Sequence, residues 1–152
     1  MLRLALFQPD IPQNTGTILR MAACLGIAVD IIEPAGFDVS DRNLRRAGLD
    51  YLDHVTIERH ISWDKFEQQR QAKGFRLVLA TVKGAIAYTE FAFSSRDVIL
   101  MGRESAGVPD SVHAAADGRI FVPMKAGMRS LNIAVSSAMI VGEGLRQIGW
   151  HP

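Results

Sequence analysis

Two continuous apolar runs constrain the fold of this chain more than any other feature. Residues 75–80 read FRLVLA and residues 97–101 read DVILM, with no alternation of polar and apolar positions. Runs of this kind are typical of parallel strands that are buried on both faces of a sheet. Parallel strands need crossover connections, which are usually helices, so the two runs predict an α/β fold.

Strand patterns alternate with helical patterns along the whole chain. The predicted strands are 2–7, 28–32, 54–57, 75–80, 97–101 and 119–123. The predicted helices are 15–25, 41–47, 62–72 and 130–148, with Gly26, Gly48 and Gly74 as stop signals and Ser62 as a cap. This order predicts a parallel sheet with helices on both faces.

The composition indicates one globular domain. The chain has 152 residues, 48% of them hydrophobic and 22% charged, and neither a linker nor a repeat divides it. Cys24 is the single cysteine, which excludes a disulfide within the chain and suits a reducing compartment. The longest uncharged apolar stretch, 131–142, is too short to cross a bilayer. We therefore expect a cytoplasmic protein without a membrane partner.

Three segments that follow or adjoin predicted strands could carry chemistry. They are residues 9–16, which lead into a helix with Arg20, residues 101–110 and residues 122–132. Ligands of open α/β sheets bind outside the carboxyl ends of the strands, where these segments would lie. Each segment taken alone is also compatible with an ordinary turn between a strand and a helix.

Common phosphate and metal motifs do not fit the chain. Gly102 and Gly107 have the spacing of a Walker A loop, but Val108 and Pro109 stand where Lys and Ser or Thr are required. The four histidines lack the spacing of zinc ligands. The sequence therefore predicts no metal site.

Taken together, the three segments resemble the SPOUT superfamily of RNA methyltransferases. Residues 14–16 with Arg20 resemble motif 1 of that superfamily, residues 102–109 resemble motif 2, and residues 120–132 resemble motif 3. Residues 31–34 and 44–51 are similar to the branch that methylates the wobble ribose of tRNA. The resemblance implies a single methyltransferase domain over residues 1–152, without a separate RNA-binding domain, and a carboxyl-terminal trefoil knot.

The resemblance also implies S-adenosylmethionine as co-substrate, without a metal. The loops after residues 80, 101 and 122 would bind it through backbone groups, and three apolar side chains, those of Leu100, Val122 and Leu131, would sandwich the adenine. The expected donor-binding residues are Leu79, Ala80, Leu100, Gly102, Val122, Met124, Ser130 and Leu131.

Catalysis in this superfamily is attributed to the motif 1 arginine and nearby polar groups. The matching residues are Arg20, Asn14, Glu104, Ser130 and Asn132. A guanidinium stays protonated at ordinary pH and cannot accept a proton. We therefore expect Arg20 to hold the phosphate next to the reacting ribose and to stabilise developing negative charge. The alternative is an ordinary surface arginine on an amphipathic helix.

Local basic clusters are needed for RNA binding, because the net charge is only +1. Arg42, Arg45 and Arg46 have the i, i+3, i+4 spacing that places three guanidiniums on one helix face. Such a face suits backbone phosphates, and a solvated polar face is the alternative. Three further cations in the predicted donor-site loops could contact the same strand: Arg103, Lys125 and Arg129.

The last predicted helix carries apolar residues around most of its surface. One side can pack on the sheet and the other side could meet a second subunit, so we expect a homodimer; a central helix in one domain is the alternative. The sequence thus predicts S-adenosylmethionine-dependent 2′-O-methylation of the wobble ribose, at position 34 of tRNA, on cytidine or modified uridine. Another tRNA or rRNA ribose, and a non-catalytic α/β module that binds RNA or a nucleotide, are the alternatives; DNA is not expected as a partner.

Overall fold

The computed structural model describes residues 1–46 and 50–151. Their seven strands form one parallel sheet in the order β3-β2-β1-β6-β4-β7-β5. The strands are β1 (Arg3–Phe7), β2 (Val29–Ile32), β3 (Ile57–His60), β4 (Arg76–Ala80), β5 (Ile86–Ala87), β6 (Asp97–Met101) and β7 (Gly118–Phe121). The two apolar runs that predicted a buried parallel sheet, β4 and β6, lie next to each other within it.

Five α-helices of the described residues cover the two faces of the sheet. They are α1 (Pro12–Leu25), α2 (Asp41–Arg46), α3 (Trp63–Ala72), α4 (Asp110–Ala115) and α5 (Ile133–Gln147). Gly26 ends α1 in the left-handed conformation, at φ 65°, where its N–H bonds the last carbonyls of the helix. Ser62 caps α3, because its side chain accepts a hydrogen bond from the Lys65 N–H. Gly26 therefore ends α1, and Ser62 begins α3, as the sequence predicts.

Several predicted element boundaries differ from the structure, and α1 begins at Pro12 instead of residue 15. The strand predicted at 54–57 lies at 57–60, because Leu52–His54 form a short 3-10 turn that buries Leu52 in the core. The last helix begins at Ile133 instead of residue 130, because the Asn132 side chain caps it. The two-residue strand β5 and the six-residue helix α4 carry too little periodicity to be predicted. Residues 47 and 48, the predicted end of α2, lie outside the described residues.

The core lies on both faces of the sheet. Leu4 and Leu6 of β1 point to the cluster that includes α1 and α5, whereas Ala5 and Phe7 point to the cluster that includes α3 and α4. Alternate strand residues face opposite sides of a sheet, so continuous apolar strands can fill both clusters. This confirms the predicted fold class. The trefoil knot that the resemblance implies stays a prediction.

A buried charge cluster joins β1, β2 and β3. Asp30 is 3% exposed; it accepts hydrogen bonds from the Arg3 guanidinium at 2.9 and 3.1 Å and contacts His60 Nε2 at 2.7 Å. Glu58 pairs with Arg3 at 3.0 Å and with Lys73 at 3.0 Å. Each charge thus has an opposite partner, and we assign the cluster a structural role. In the described part of the chain, none of the helices has the length and apolar character that crossing a membrane requires.

Candidate active site

A cleft of about 480 Å³ opens at the carboxyl end of the sheet. It is lined by residues from the start of α1, from the ends of β4 and β6, and from the loop before α5. The three segments singled out from the sequence therefore meet in one cavity. The size is within the usual range for small-molecule sites, roughly 300–1,000 Å³.

The loop after β6 closes tightly on itself beside the cleft. The Arg103 N–H donates to the Gly107 carbonyl at 3.0 Å, and the Gly107 N–H donates to the Arg103 carbonyl at 2.8 Å. A Cβ atom at Gly102 would lie 3.0 Å from Gly107 Cα and 3.1 Å from its carbonyl carbon. A side chain at position 102 would thus press on backbone atoms, so the loop geometry requires glycine there.

Two asparagines join the first and last helices at the cleft. Asn132 Nδ2 donates to Asn14 Oδ1 at 3.0 Å, while Asn132 Oδ1 accepts from the N–H groups of Ala134 and Val135. Asn132 therefore caps α5 and fixes Asn14 at the start of α1 with one side chain. Both residues line the cleft together with Ser130, as the sequence predicts.

A carboxyl pair lies at the same edge of the sheet. Glu104 Oε2 accepts a hydrogen bond from the Asp10 N–H at 3.0 Å, and Asp10 Oδ2 accepts from Arg103 Nε at 3.1 Å and from the Ser105 hydroxyl. The interaction with the Glu104 carboxyl, followed by hydrogen bonds from Ser105 and Arg103, lowers the pKa of Asp10 to about 2. Burial, and then the neighbouring Asp10 carboxyl, raise the pKa of Glu104. Glu104 lines the cleft, whereas Asp10 lies behind it.

A smaller hollow of about 90 Å³ adjoins the cleft and shares several of its lining residues. Ala80, Ser130 and Leu131 line both cavities, whereas Val122 and Met124 line only the smaller one. With Leu79 and Gly102 in the larger cleft, seven of the eight predicted donor-binding residues border this connected space. The sequence analysis missed four residues that line both cavities: Thr81, Val82, Met101 and Ser136.

Leu100 does not fit its predicted role. Its side chain is fully buried in the cluster beneath α3 and α4, among Leu79, Val98 and Val112, so it cannot contact an adenine in the cleft. The prediction is wrong because consecutive strand residues point to opposite faces, and Met101 is the one that faces the cavities.

Arg20 lies apart from the cleft within one chain. It is exposed on α1; its Nη2 donates to the Tyr51 hydroxyl at 3.4 Å, and its Cζ lies 4.8 Å from the Tyr51 ring centroid. A separation of six helical positions places Arg20 roughly 9 Å along the axis from Asn14 and about 120° around it. The structure therefore brings Asn14, but not Arg20, to the cleft of the same chain.

The predicted basic residues occupy two regions. Arg42 and Arg45 are exposed on α2, and Arg45 pairs with Asp53 at 2.6 Å; the Arg46 side chain lies outside the described part. At the cleft, Arg129 lines the cavity and is exposed. Lys125, in the same loop, is also exposed. Arg103 forms an ion pair with Asp10.

Comparison with known proteins agrees with this geometry. A model of the SpoU rRNA Methylase family matches residues 1–142. The chain belongs to the SpoU methylase family. The resemblance seen in the sequence is thereby confirmed.

Relatives of this SpoU methylase match it over nearly their full length. The tRNA (cytidine(34)-2′-O)-methyltransferase of Ancylobacter novellus is 58% identical over 148 residues, which cover 97% of this chain and 94% of the relative. The enzyme of the same name from Escherichia coli K12 is 37% identical over 152 residues, covering 99% and 96%.

Solved structures share the fold. The first comes from work on the 2-OH methylation of C/U34 on tRNA. It matches this chain with a TM-score of 0.89 and 39% identity, over 97% of this chain and 95% of the matched chain. The SpoU methyltransferase AviRb from Streptomyces viridochromogenes, solved in complex with the cofactor AdoMet, has a TM-score of 0.83 and 27% identity, with 97% and 60% coverage.

Proposed function

We propose that this SpoU methylase transfers a methyl group from S-adenosylmethionine to the 2′-hydroxyl of nucleotide 34 of a tRNA, a cytidine or a modified uridine. The observation that carries the proposal is the 58% identity, over 97% of this chain, to an enzyme named for that reaction on cytidine 34. The cleft at the carboxyl end of the sheet is the proposed site of the reaction.

The lining of the cleft fits a nucleoside-like donor. Its size suits such a molecule, and Gly102 lets the loop after β6 close against Gly107 at the edge of the cleft. The AdoMet complex of AviRb, which shares the fold, supports S-adenosylmethionine as the donor. When bound, S-adenosylmethionine supplies a methyl group already activated on a sulfonium. We propose that the donor is held by Leu79, Ala80, Gly102, Val122, Met124, Ser130 and Leu131.

The polar groups of the cleft would orient the ribose. Asn14 and Asn132, fixed to each other at 3.0 Å, present amide groups beside Ser130. Holding acceptor and donor in line supplies much of the rate enhancement that a methyl transfer needs. Glu104 completes this set from the opposite loop, and Arg20 would hold the phosphate next to the reacting ribose.

Arg20 does not line the cleft of its own chain, so we propose that it acts at the cleft of a second chain. On α5, Val135 is 50% exposed and Met139 is 37% exposed, while the opposite side, with Ile140 and Val141, is buried. An exposed apolar face on a helix beside the cleft is typical of an interface. We propose a homodimer in which this face is covered and Arg20 of one copy serves the cleft of the other.

The tRNA would be held by cations on both sides of the cleft. We propose that Arg42, Arg45 and Arg46 contact backbone phosphates away from the reacting nucleotide, and that Lys125 and Arg129 contact the strand at the cleft. Arg103 could join them after exchanging Asp10 for a phosphate. We propose a cytoplasmic location, in keeping with a tRNA substrate, and one methyltransferase domain over residues 1–152.

Methyl transfer to total tRNA from a strain that lacks the modification tests the proposal. Incorporation that depends on S-adenosylmethionine, followed by nuclease mapping, should place the methyl group on the ribose of nucleotide 34. A methyl group on another tRNA or rRNA ribose would show the same reaction on a different substrate. A protein that binds RNA without transferring methyl groups would be the non-catalytic module.

A further inference from the structure

The cleft contains one side chain that can accept a proton. A 2′-hydroxyl must lose its proton during methyl transfer, and asparagine, serine, threonine and arginine side chains do not take one up at neutral pH. Among the described residues that line the cleft, Glu104 is the only carboxylate, and histidine, cysteine, lysine and tyrosine are absent.

We propose that Glu104 accepts the proton of the ribose 2′-hydroxyl and that Asp10 is the positioning residue that holds it. This inference rests on the proposed function and adds the identity of the base. Glu104 lines the same cavity as Asn14, Ser130 and Asn132, the groups expected to hold the ribose.

The step balances on these groups. The proton passes from the 2′-oxygen to a carboxylate oxygen of Glu104, and the 2′-oxygen forms a bond to the methyl carbon. The bond from that carbon to sulfur breaks, and its electron pair stays on the sulfur, which becomes a neutral thioether.

Asp10 constrains Glu104 from behind. Its N–H donates to Glu104 Oε2 at 3.0 Å, and its carboxylate accepts from Arg103 and Ser105, the residues on either side of Glu104. One residue of the β1–α1 loop thus fixes three consecutive residues of the loop after β6. Gly36 packs against Asp10 so closely that a Cβ there would lie 2.7 Å from Asp10 Cβ, which keeps Asp10 in place.

The charges around Glu104 set the pH range in which it can accept a proton. Asp10 faces it from the β1–α1 loop, Arg103 is its neighbour in the chain, and Arg129 lines the cleft from the loop before α5. Burial and the negative charge of Asp10 raise the pKa of Glu104 towards the range in which a carboxylate is an effective base. The group is deprotonated above that pKa, so the rate should rise with pH and then level off.

Single-turnover methyl transfer by the full-length protein, measured from about pH 4.5 to pH 8, tests the inference. For wild type we expect a rate that rises with a slope near one and then reaches a plateau. Glu104→Gln keeps an acceptor for the Asp10 N–H but cannot take up the proton, so the rate should fall by a hundredfold or more, roughly what loss of general-base catalysis costs. Its affinity for S-adenosylmethionine, measured by calorimetry, should stay close to that of wild type.

Asp10→Asn separates a positioning role from a merely structural one. Removing the Asp10 charge lowers the pKa of Glu104, so the rising limb of the pH profile should move to lower pH even where the plateau falls. Glu90→Gln is the matched control, because Glu90 is exposed and outside the cleft lining; its profile should match that of wild type.

The outcomes separate the base from the reaction. A Glu104→Gln rate within tenfold of wild type, or a rising limb that Asp10→Asn leaves in place, would overturn this inference while the proposed function stands. A wild-type protein that leaves tRNA unmethylated at every pH would overturn the proposed function instead.

Discussion

Single residues decide whether the cleft can form. Gly102 is the sharpest case, because a Cβ at this position would lie 3.0 Å from the backbone of Gly107. We expect Gly102→Val to abolish binding of S-adenosylmethionine in calorimetry. Ala106→Val is the matched control, since Ala106 is exposed in the same loop but outside the cleft lining, and its affinity should be unchanged. Unaltered affinity in Gly102→Val would remove this loop from the donor site.

Arg20 should act on the acceptor and not on the donor. It lies outside the cleft of its own chain, so Arg20→Ala should leave donor affinity near that of wild type. If its guanidinium holds the phosphate and stabilises developing charge, methyl transfer should fall by about a hundredfold or more. Lys65→Ala, which removes an exposed cation on α3 away from the cleft lining, is the control. Near-normal turnover of Arg20→Ala would leave Arg20 as an ordinary surface residue.

At the scale of the helix, Asn132 has two tasks that can be separated. It caps α5, and it bonds Asn14 in the cleft. We expect Asn132→Ala to lower the free energy of unfolding by about 1 kcal/mol and also to reduce methyl transfer. Ser62→Ala removes the cap of α3, away from the cleft, and should cost a similar free energy with activity unchanged. Denaturant unfolding and turnover measured on both variants test this; equal activity losses would contradict it.

Helix α2 offers a test of the basic face. Substituting Arg42, Arg45 and Arg46 together by glutamine should weaken tRNA binding and reduce the slope of log affinity against log salt, by up to about one for each phosphate that the variant no longer neutralises. Arg45 would have to break its ion pair with Asp53 before it binds a phosphate, which would reduce its contribution to the tRNA affinity. A salt slope equal to that of wild type would show that α2 does not contact RNA.

Periodicity in the sequence predicted the elements that are long enough to show it. The runs at β4 and β6 and the spacing in α1 indicated their structures directly, whereas β3 was misplaced by three residues because the preceding turn buries Leu52 among apolar neighbours. The cleft loops were recognisable from motif order. The burial of Leu100 and the position of Arg20 away from the cleft could not be predicted from the motifs. They depend on which face of the strand a residue occupies and on the rotation of α1 about its axis, and the motifs specify neither.

At the scale of the whole molecule, assembly completes the site. If α5 packs against a second copy, a charge on its exposed face should separate the subunits. We expect Val135→Asp combined with Met139→Asp to sediment as a monomer and to lose methyl transfer, because Arg20 no longer reaches a cleft. Ile61→Asp, at a position 75% exposed elsewhere, is the control and should remain dimeric. A wild-type protein that sediments as a monomer at low concentration would contradict the homodimer.

The position of the transferred methyl group tests the central claim most directly. Purified protein, S-adenosylmethionine and tRNA from a strain that lacks the modification should yield a product whose nucleosides are mapped by mass spectrometry. We predict one new methyl group on the 2′-oxygen of nucleotide 34, and none when Gly102 is replaced by valine. A methyl group on a base, or no transfer by the wild-type protein, would contradict the account.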